Sequence, residues 1–343
     1  MLTRSSPNYG VSMLQRFKTG FDQSAGCSLA RRLGMVAWLL AVLMVPTAHA
    51  QSKTTVILGT ATPGGGFPVY GEAFAKIINE SGAGLLVEPR NTKGSTENIP
   101  MLEAGQLDIA LVAGEPAFEA LSGIKGPPAN LRIIAAMYST PGMFVVRGDS
   151  PYRTIADLKG QAIAFGARGS GLPILARYVL DGMGLDQERD FKAVFLDKAG
   201  DGPVMLRDGR VAALWGGGAG WPGFTTVMKE GGRFIAPTGE DIARIRAKHS
   251  YLGDLTLPPN SYPGQPEAIR SVGSWSFVLA RPTLDEAVAY QLTRALHRNE
   301  KAFAERLPQA RESTAANTVA AAYRPELLHP GTRRYLQEIG LLK

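Results

Sequence analysis

Two periods alternate along the chain. Residues 54–61 (TTVILGTA) form a short apolar run of the kind that is buried on both faces of a sheet. From 70 to 80, Tyr70, Phe74, Ile77 and Ile78 recur at helical spacing. Residues 85–89 read as a strand, and Ser95 reads as the N-cap of a helix reaching Ala104, with Pro100 placed to kink it. A strand at 107–112, a short helix at 116–121 and a strand at 131–138 follow. Strand and helix in turn predict a mostly parallel sheet covered on both faces.

The pattern then repeats. Strands at 143–147 and 161–166 flank a short helical TIADLKG. A helix at 172–183, a strand at 192–196, a helix near 203–208, a strand at 211–215 and a helix at 224–229 come next. Residues 270–282 read as one long strand, and 284–307 and 332–341 as helices. The expected fold is α/β and bilobal, with a ligand cleft between two α/β domains. One lobe is assigned residues 51–140 plus 283–343, the other 141–282, joined by extended segments near 138–143 and 274–279. No internal repeat or low-complexity segment interrupts this.

The first 50 residues stand apart. Leu33 to Pro46 are nearly all apolar, follow Arg16, Lys18, Arg31 and Arg32, and precede Ala48-His49-Ala50. These are the three regions of a secretory signal peptide, with cleavage expected after Ala50. A membrane anchor needs about 20 apolar residues, more than this run has. Five of the 37 Lys+Arg and one of the 30 Asp+Glu lie in that segment, so the remainder carries only +3. The whole-chain excess of +7 is thus partly the leader's, and a nucleic-acid partner loses its support. The single cysteine, Cys27, also falls there, which predicts a mature protein without disulfides.

Glycine-rich loops cluster at the C-terminal ends of the expected strands, where open α/β sheets bind ligands against helix N-termini. They are Gly64-Gly65-Gly66, the stretch GARGSG from Gly166 to Gly171, and GGGAG from Gly216 to Gly220. Enzyme templates fail on them. A dinucleotide fingerprint requires glycine where Val69 or Trp221 stands, and no Gly-Lys-Ser/Thr phosphate loop occurs. A nucleophile elbow at Ser170 requires glycine where Arg168 stands. The histidines, His49, His249, His297 and His329, have no metal-ligand spacing. An exported chain with amide-rich loops and no visible chemistry has the profile of a binding protein rather than an enzyme, with no metal and no cofactor.

The segments GTATPGGGFPVYGEAFAKIINE and TKGSTENIPMLEAGQLDIALV resemble the opening of the TAXI family. These are the solute receptors of tripartite ATP-independent periplasmic (TRAP) transporters, whose first loop typically reads G-T-x-S-P-G-G-T-Y-Y-P. The similarity continues through TIADLKGQAIAFGARGSG, MLRDGRVAALWGGG, SYPGQPEAIRSVGSWSFVLARP and LHPGTRRYLQEIG, in order across residues 51–343. It implies a type II periplasmic-binding-protein fold closing over a small organic anion (an amino acid, dicarboxylate or oxo acid), TRAP permease subunits as partners, and a monomer. Glutamate and 2-oxoglutarate are ligands associated with the family. An ATP-binding-cassette or tricarboxylate-type receptor, or a sensor for a membrane kinase, is the alternative.

The departures bear on specificity. Gly66 replaces a usual threonine, Phe67 a tyrosine and Pro68 a second aromatic. Ala113-Gly114-Glu115 stands for Gln-Ser-Asp, Lys93 for glycine, Arg168 for proline and Leu172 for threonine. The candidate ligand-binding set is Thr62, Gly65, Gly66, Phe67, Lys93, Ser95, Glu115, Arg168, Gly169, Ser170, Gly217 and Trp221. For the first glycine loop, anion binding through backbone N–H groups stands against a plain strand-to-helix turn. For Lys93 and Arg168, cleft-facing cations stand against solvated loop charges. For Trp215 and Trp221, ligand contact stands against core packing.

Overall fold

A computed structural model describes residues 53–343, so the expected signal peptide, residues 1–50, lies outside the described residues. β1 (Thr54–Gly59) leads into α1 (Gly66–Glu80), β2 (Leu85–Arg90), α2 (Ser95–Glu103), β3 (Ile109–Val112) and α3 (Gly114–Ser122). β1 lies between β2 and β3, parallel to both. Along β3 the side chains alternate. Ile109 and Leu111 join Leu58, Tyr70 and Phe74 on one face, while Ala110 and Val112 join Leu102, Ala117 and Leu121 on the other. Both faces are covered, which is why these strands read as unbroken apolar runs. Ser95 is not an N-cap but the first residue of α2. Gly94 precedes it, and the Ser95 hydroxyl accepts from the Ala113 N–H instead.

β4 (Arg132–Val146) is one strand where the sequence reads as two. It is followed by β5 (Ala162–Ala167), α4 (Leu172–Gly182), β6 (Lys192–Leu196), α5 (Asp201–Arg207), β7 (Ala213–Gly217) and α6 (Pro222–Lys229). β8 (Arg233–Ile235), α7 (Gly239–Lys248) and β9 (Gly253–Leu257), none of them anticipated, lead to β10 (Ile269–Ala280). The chain ends with α8 (Glu286–Arg298), α9 (Glu300–Arg306), α10 (Ala315–Ala321) and α11 (Pro330–Glu338). α8 and α9 replace one expected helix, which breaks at Asn299.

The strands follow the order β2-β1-β3-β10-β4-β7-β5-β6, with β8 on β4 and β9 on β10. Parallel pairing holds within each lobe, and two antiparallel strands join them. β4 pairs with β10 from Arg132 to Pro141, then with β7 from Gly142 to Val145. Ser139-Thr140-Pro141-Gly142 has turn composition, yet its neighbours keep it extended: the ladder overrides local preference. In the second lobe Phe144, Ile163, Phe165 and Trp215 pack on one face of the sheet, and Met143, Val145, Ala164 and Leu214 on the other. Leu292, Leu296 and Phe303 of the C-terminal helices return to the core of the first lobe.

Candidate functional site

The loops at the strand ends of both lobes face one another and enclose a cavity of about 70 Å³. The first lobe contributes Ala61, Thr62, Gly65, Gly66 and Phe67 after β1, and Ala113 and Glu115 after β3. The second contributes Ala167, Ser170 and Leu172 after β5, Ala199 before α5, Gly217 at the end of β7, and Trp221. Tyr138, Thr140 and Ser276, on the joining strands β4 and β10, complete the wall.

The opposed loops touch. The Ala199 N–H donates to Thr62 Oγ1 at 3.3 Å, and Gly169 O accepts from both the N–H and the hydroxyl of Thr96, at 3.1 and 2.9 Å. Gly64, at φ +82°, passes so close to Gly200 that a Cβ on it would stand 2.6 Å from the Gly200 N and Cα. Only glycine fits there. Behind the wall, the Asn98 amide donates to Thr60 O and Leu111 O, both at 2.8 Å, pinning together the ends of β1 and β3.

Four helices begin at the cavity: α1, α3, α4 and α6. None has a side-chain cap; their N-caps are Gly65, Ala113, Gly171 and Trp221. Of the other described helices, α7, α8, α10 and α11 are capped by the side chains of Thr238, Asp285, Thr314 and His329, while α2, α5 and α9 have no side-chain cap either. Uncapped first turns leave the positive end of the helix dipole and a few N–H donors available to an acceptor. These are Gly66 and Phe67 on α1, where Pro68 has none, and Leu172 on α4, where Pro173 has none and the Ile174 N–H bonds Gly171 O at 3.1 Å. At α3 that place is taken by its own Glu115, whose carboxylate bonds its own backbone N–H. α1 and α4 carry no acidic residue in their first turns.

Among the described residues that line the cavity, Glu115 and Tyr138 are the two that can ionise. Glu115 is 1% exposed, and Ser274 Oγ donates to its Oε1 at 2.6 Å. Gly114 makes room for this contact, since a Cβ there would fall 1.9 Å from Ser274 Oγ. Among the described residues no Lys, Arg or His pairs with Glu115, and burial pushes its carboxyl up to about 7. The Tyr138 hydroxyl makes no hydrogen bond to the described residues although the side chain is 6% exposed, and burial raises its pKa. A Cβ on Gly66 would meet Tyr138 Oη and Trp221 Cδ1, each at 3.3 Å, so glycine at this position keeps the space in front of both rings clear.

Of the residues singled out from sequence, Thr62, Gly65, Gly66, Phe67, Glu115, Ser170, Gly217 and Trp221 line the cavity. Lys93, Ser95, Arg168 and Gly169 do not. Lys93 is exposed, with its backbone N–H on Glu97. Arg168 is exposed and lies over the Phe195 ring at 5.3 Å, so neither added cation enters the wall. Gly169 belongs to the contact between lobes, and Ser95 is buried behind Ala113. Trp215 is core, its indole N–H donating to Leu172 O. Tyr138, Thr140 and Ser276 were missed because they fall within or beside apolar strands. Their signal is a polar atom in a run otherwise buried on both faces.

Two α/β lobes with a cleft between strand-end loops make the bilobal α/β fold that periplasmic binding proteins share. The chain belongs to the NMT1-like family, whose profile matches residues 58–340. A protein of known structure from Bordetella bronchiseptica RB50 is 16% identical and has a TM-score of 0.53, over 84% of this chain and 98% of its own. The periplasmic aliphatic sulphonate binding protein SsuA from Escherichia coli is 18% identical over 83% of this chain and 79% of its own, at a TM-score of 0.46. The alkanesulfonate-binding protein SsuA from Xanthomonas axonopodis pv. citri, bound to MOPS, is 17% identical over 85% and 94%, also at 0.46. Among the described residues no helix is long and apolar enough to cross a membrane.

Proposed function

We propose that this protein is a periplasmic receptor that captures a small organic solute with an acidic end and delivers it to a TRAP-type permease, as a member of the TAXI group. The observation that carries the reading is the convergence of uncapped helix N-termini from both lobes on one small cavity. The backbone N–H groups of Gly66 and Phe67 on α1 and of Leu172 on α4, with the Tyr138 hydroxyl, hold a carboxylate there without a positively charged side chain. With Lys93 and Arg168 outside the wall, a dicarboxylate lacks the second counter-charge it requires.

The test is a thermal-shift screen of amino acids, dicarboxylates, oxo acids and aromatic acids on the chain from residue 51. A solute at a hundredfold excess over Kd stabilises the folded state by about 2.7 kcal/mol, a readily measured shift. Shifts from sugars or inorganic cations alone would sink the reading. The second reading, a receptor of an ATP-binding-cassette importer, is favoured by membership of the NMT1-like family. The neighbouring genes separate the two: a many-helix fused permease supports the first, an ATPase subunit the second.

A further inference from the structure

We infer that Glu115 accepts a hydrogen bond from an amino nitrogen of the solute, so that the cavity selects compact amino-bearing acids over their oxo counterparts and over dicarboxylates. This rests on the receptor reading and names the solute class within it.

The charges around Glu115 set the argument. Its helix α3 also carries Glu119, one turn on, and that carboxylate takes the nearby cations for itself: Lys125 at 2.6 Å and Arg177, with the Tyr178 hydroxyl at 2.9 Å. From the β9 side Tyr251 stacks on Phe118 with ring centroids 4.1 Å apart and brings no positive charge. From β10 comes only the Ser274 hydroxyl. A buried carboxylate with one hydroxyl donor and its own N–H is under-compensated, and its raised pKa reports the same imbalance. A second anion beside it adds repulsion, whereas an ammonium group supplies the missing partner. The opposite end of the requirement is met by α1, α4 and the unpartnered Tyr138 hydroxyl, which offer donors. Phe67, Leu172, Leu175 and Trp221 add apolar surface to the same wall. A carboxylate, an amine and a short apolar body describe a zwitterionic amino acid of modest size.

Isothermal titration with three matched probes tests this on the chain from residue 51: leucine, 4-methyl-2-oxopentanoate, which lacks the amine, and isopentylamine, which lacks the carboxylate. Phenylalanine and phenylpyruvate, then glutamate and 2-oxoglutarate, extend the comparison. At pH 7.5 the amino member of at least one pair should bind tenfold or more tightly than its oxo partner, and glutamate should not be the best solute. At pH 6.5, titration in buffers of different ionisation enthalpy should register proton release on binding of the amino acid. Glu115→Gln should bring the amino-to-oxo ratio to within about twofold. Oxo acids binding as tightly as amino acids, proton uptake on binding, or an unchanged ratio in the variant each overturn the inference while leaving the receptor reading intact. No heat with any member at millimolar concentration overturns both. The wild-type comparison requires no variant, so poor folding of Glu115→Gln leaves it decisive.

Discussion

At the scale of single residues, the two expected cations and the one acid in the candidate set exchange importance. Arg168 rests on Phe195 in solvent, and Lys93 is a loop-tip charge. Arg168→Ala and Lys93→Ala should each leave solute affinity within about twofold of wild type, because exposed charges contribute roughly 0–1 kcal/mol. A tenfold loss by titration calorimetry would return either to the site. Glu115 behaves in the opposite way. Its carboxyl is raised from the ordinary 4.5 to about 7, so between those values the native state binds more protons than the unfolded chain. Stability contributed by this group is therefore present below about pH 4.5 and lost as pH rises through about 7, a difference on the order of 3 kcal/mol. Glu115→Gln should flatten that dependence, so its melting temperature relative to wild type should climb by several degrees between pH 5 and pH 8. A constant difference across that range would show that Glu115 titrates normally.

Elements were legible where one physical signal dominated. The strands of both lobes announced themselves as apolar runs because helices cover both faces, and α1 and α4 by spacing of their buried residues. α7 was missed although Thr238 and Asp241 form a capping box visible in sequence, since its mean hydropathy is low and few of its residues are buried. β4 was split at Pro141-Gly142 because pairing with β10 and β7 is a long-range fact that no local pattern carries. The loops of the cavity were read correctly as loops, but which of their side chains turn inward depends on how the two lobes meet. That is why Ser170 lines the wall and adjacent Gly169 and Arg168 do not. The uncapped helices give a prediction at this scale. Gly65 precedes α1 with φ −85° and ψ 168°, a conformation an N-cap aspartate adopts without strain. Gly65→Asp should change the stability of the solute-free protein by no more than about a few tenths of a kcal/mol while weakening binding tenfold or more, by placing its own carboxylate on the donors. A tighter-binding variant would mean the first turn of α1 does not hold the solute's acidic end.

For the whole molecule, polar and aromatic contacts join the lobes, Phe118 on Tyr251 and the Gln309 amide to Ala219 O among them, and the expected division at residues 140 and 282 leads to a proposal about motion. We propose that the lobes part by bending of β4 and β10, whose mutual register shifts between Trp275 and Phe277. Glu119 on α3 then latches the joined form through Arg177 and Tyr178 on α4. Glu119→Gln lies outside the cavity wall, yet it should weaken solute binding several-fold by favouring the parted form. Small-angle scattering should record a smaller radius of gyration with saturating solute, and a larger one for solute-free Glu119→Gln than for solute-free wild type. Equal radii in all three states would dispose of both the hinge and the latch.

Tyr138, Thr140 and Ser276 are at once part of the cavity wall and part of the two strands that connect the lobes. A receptor built this way has fewer independent evolutionary dials than one whose recognition surface is separate from its joint. A replacement at any of the three alters the preference among solutes and the ease of bending together, so a gain in discrimination arrives with a change in the rate of capture and release. Phe67 and Leu172, each carried by a single lobe, are free of that coupling. Divergence toward new solutes should therefore begin at those two positions and reach the connecting strands last.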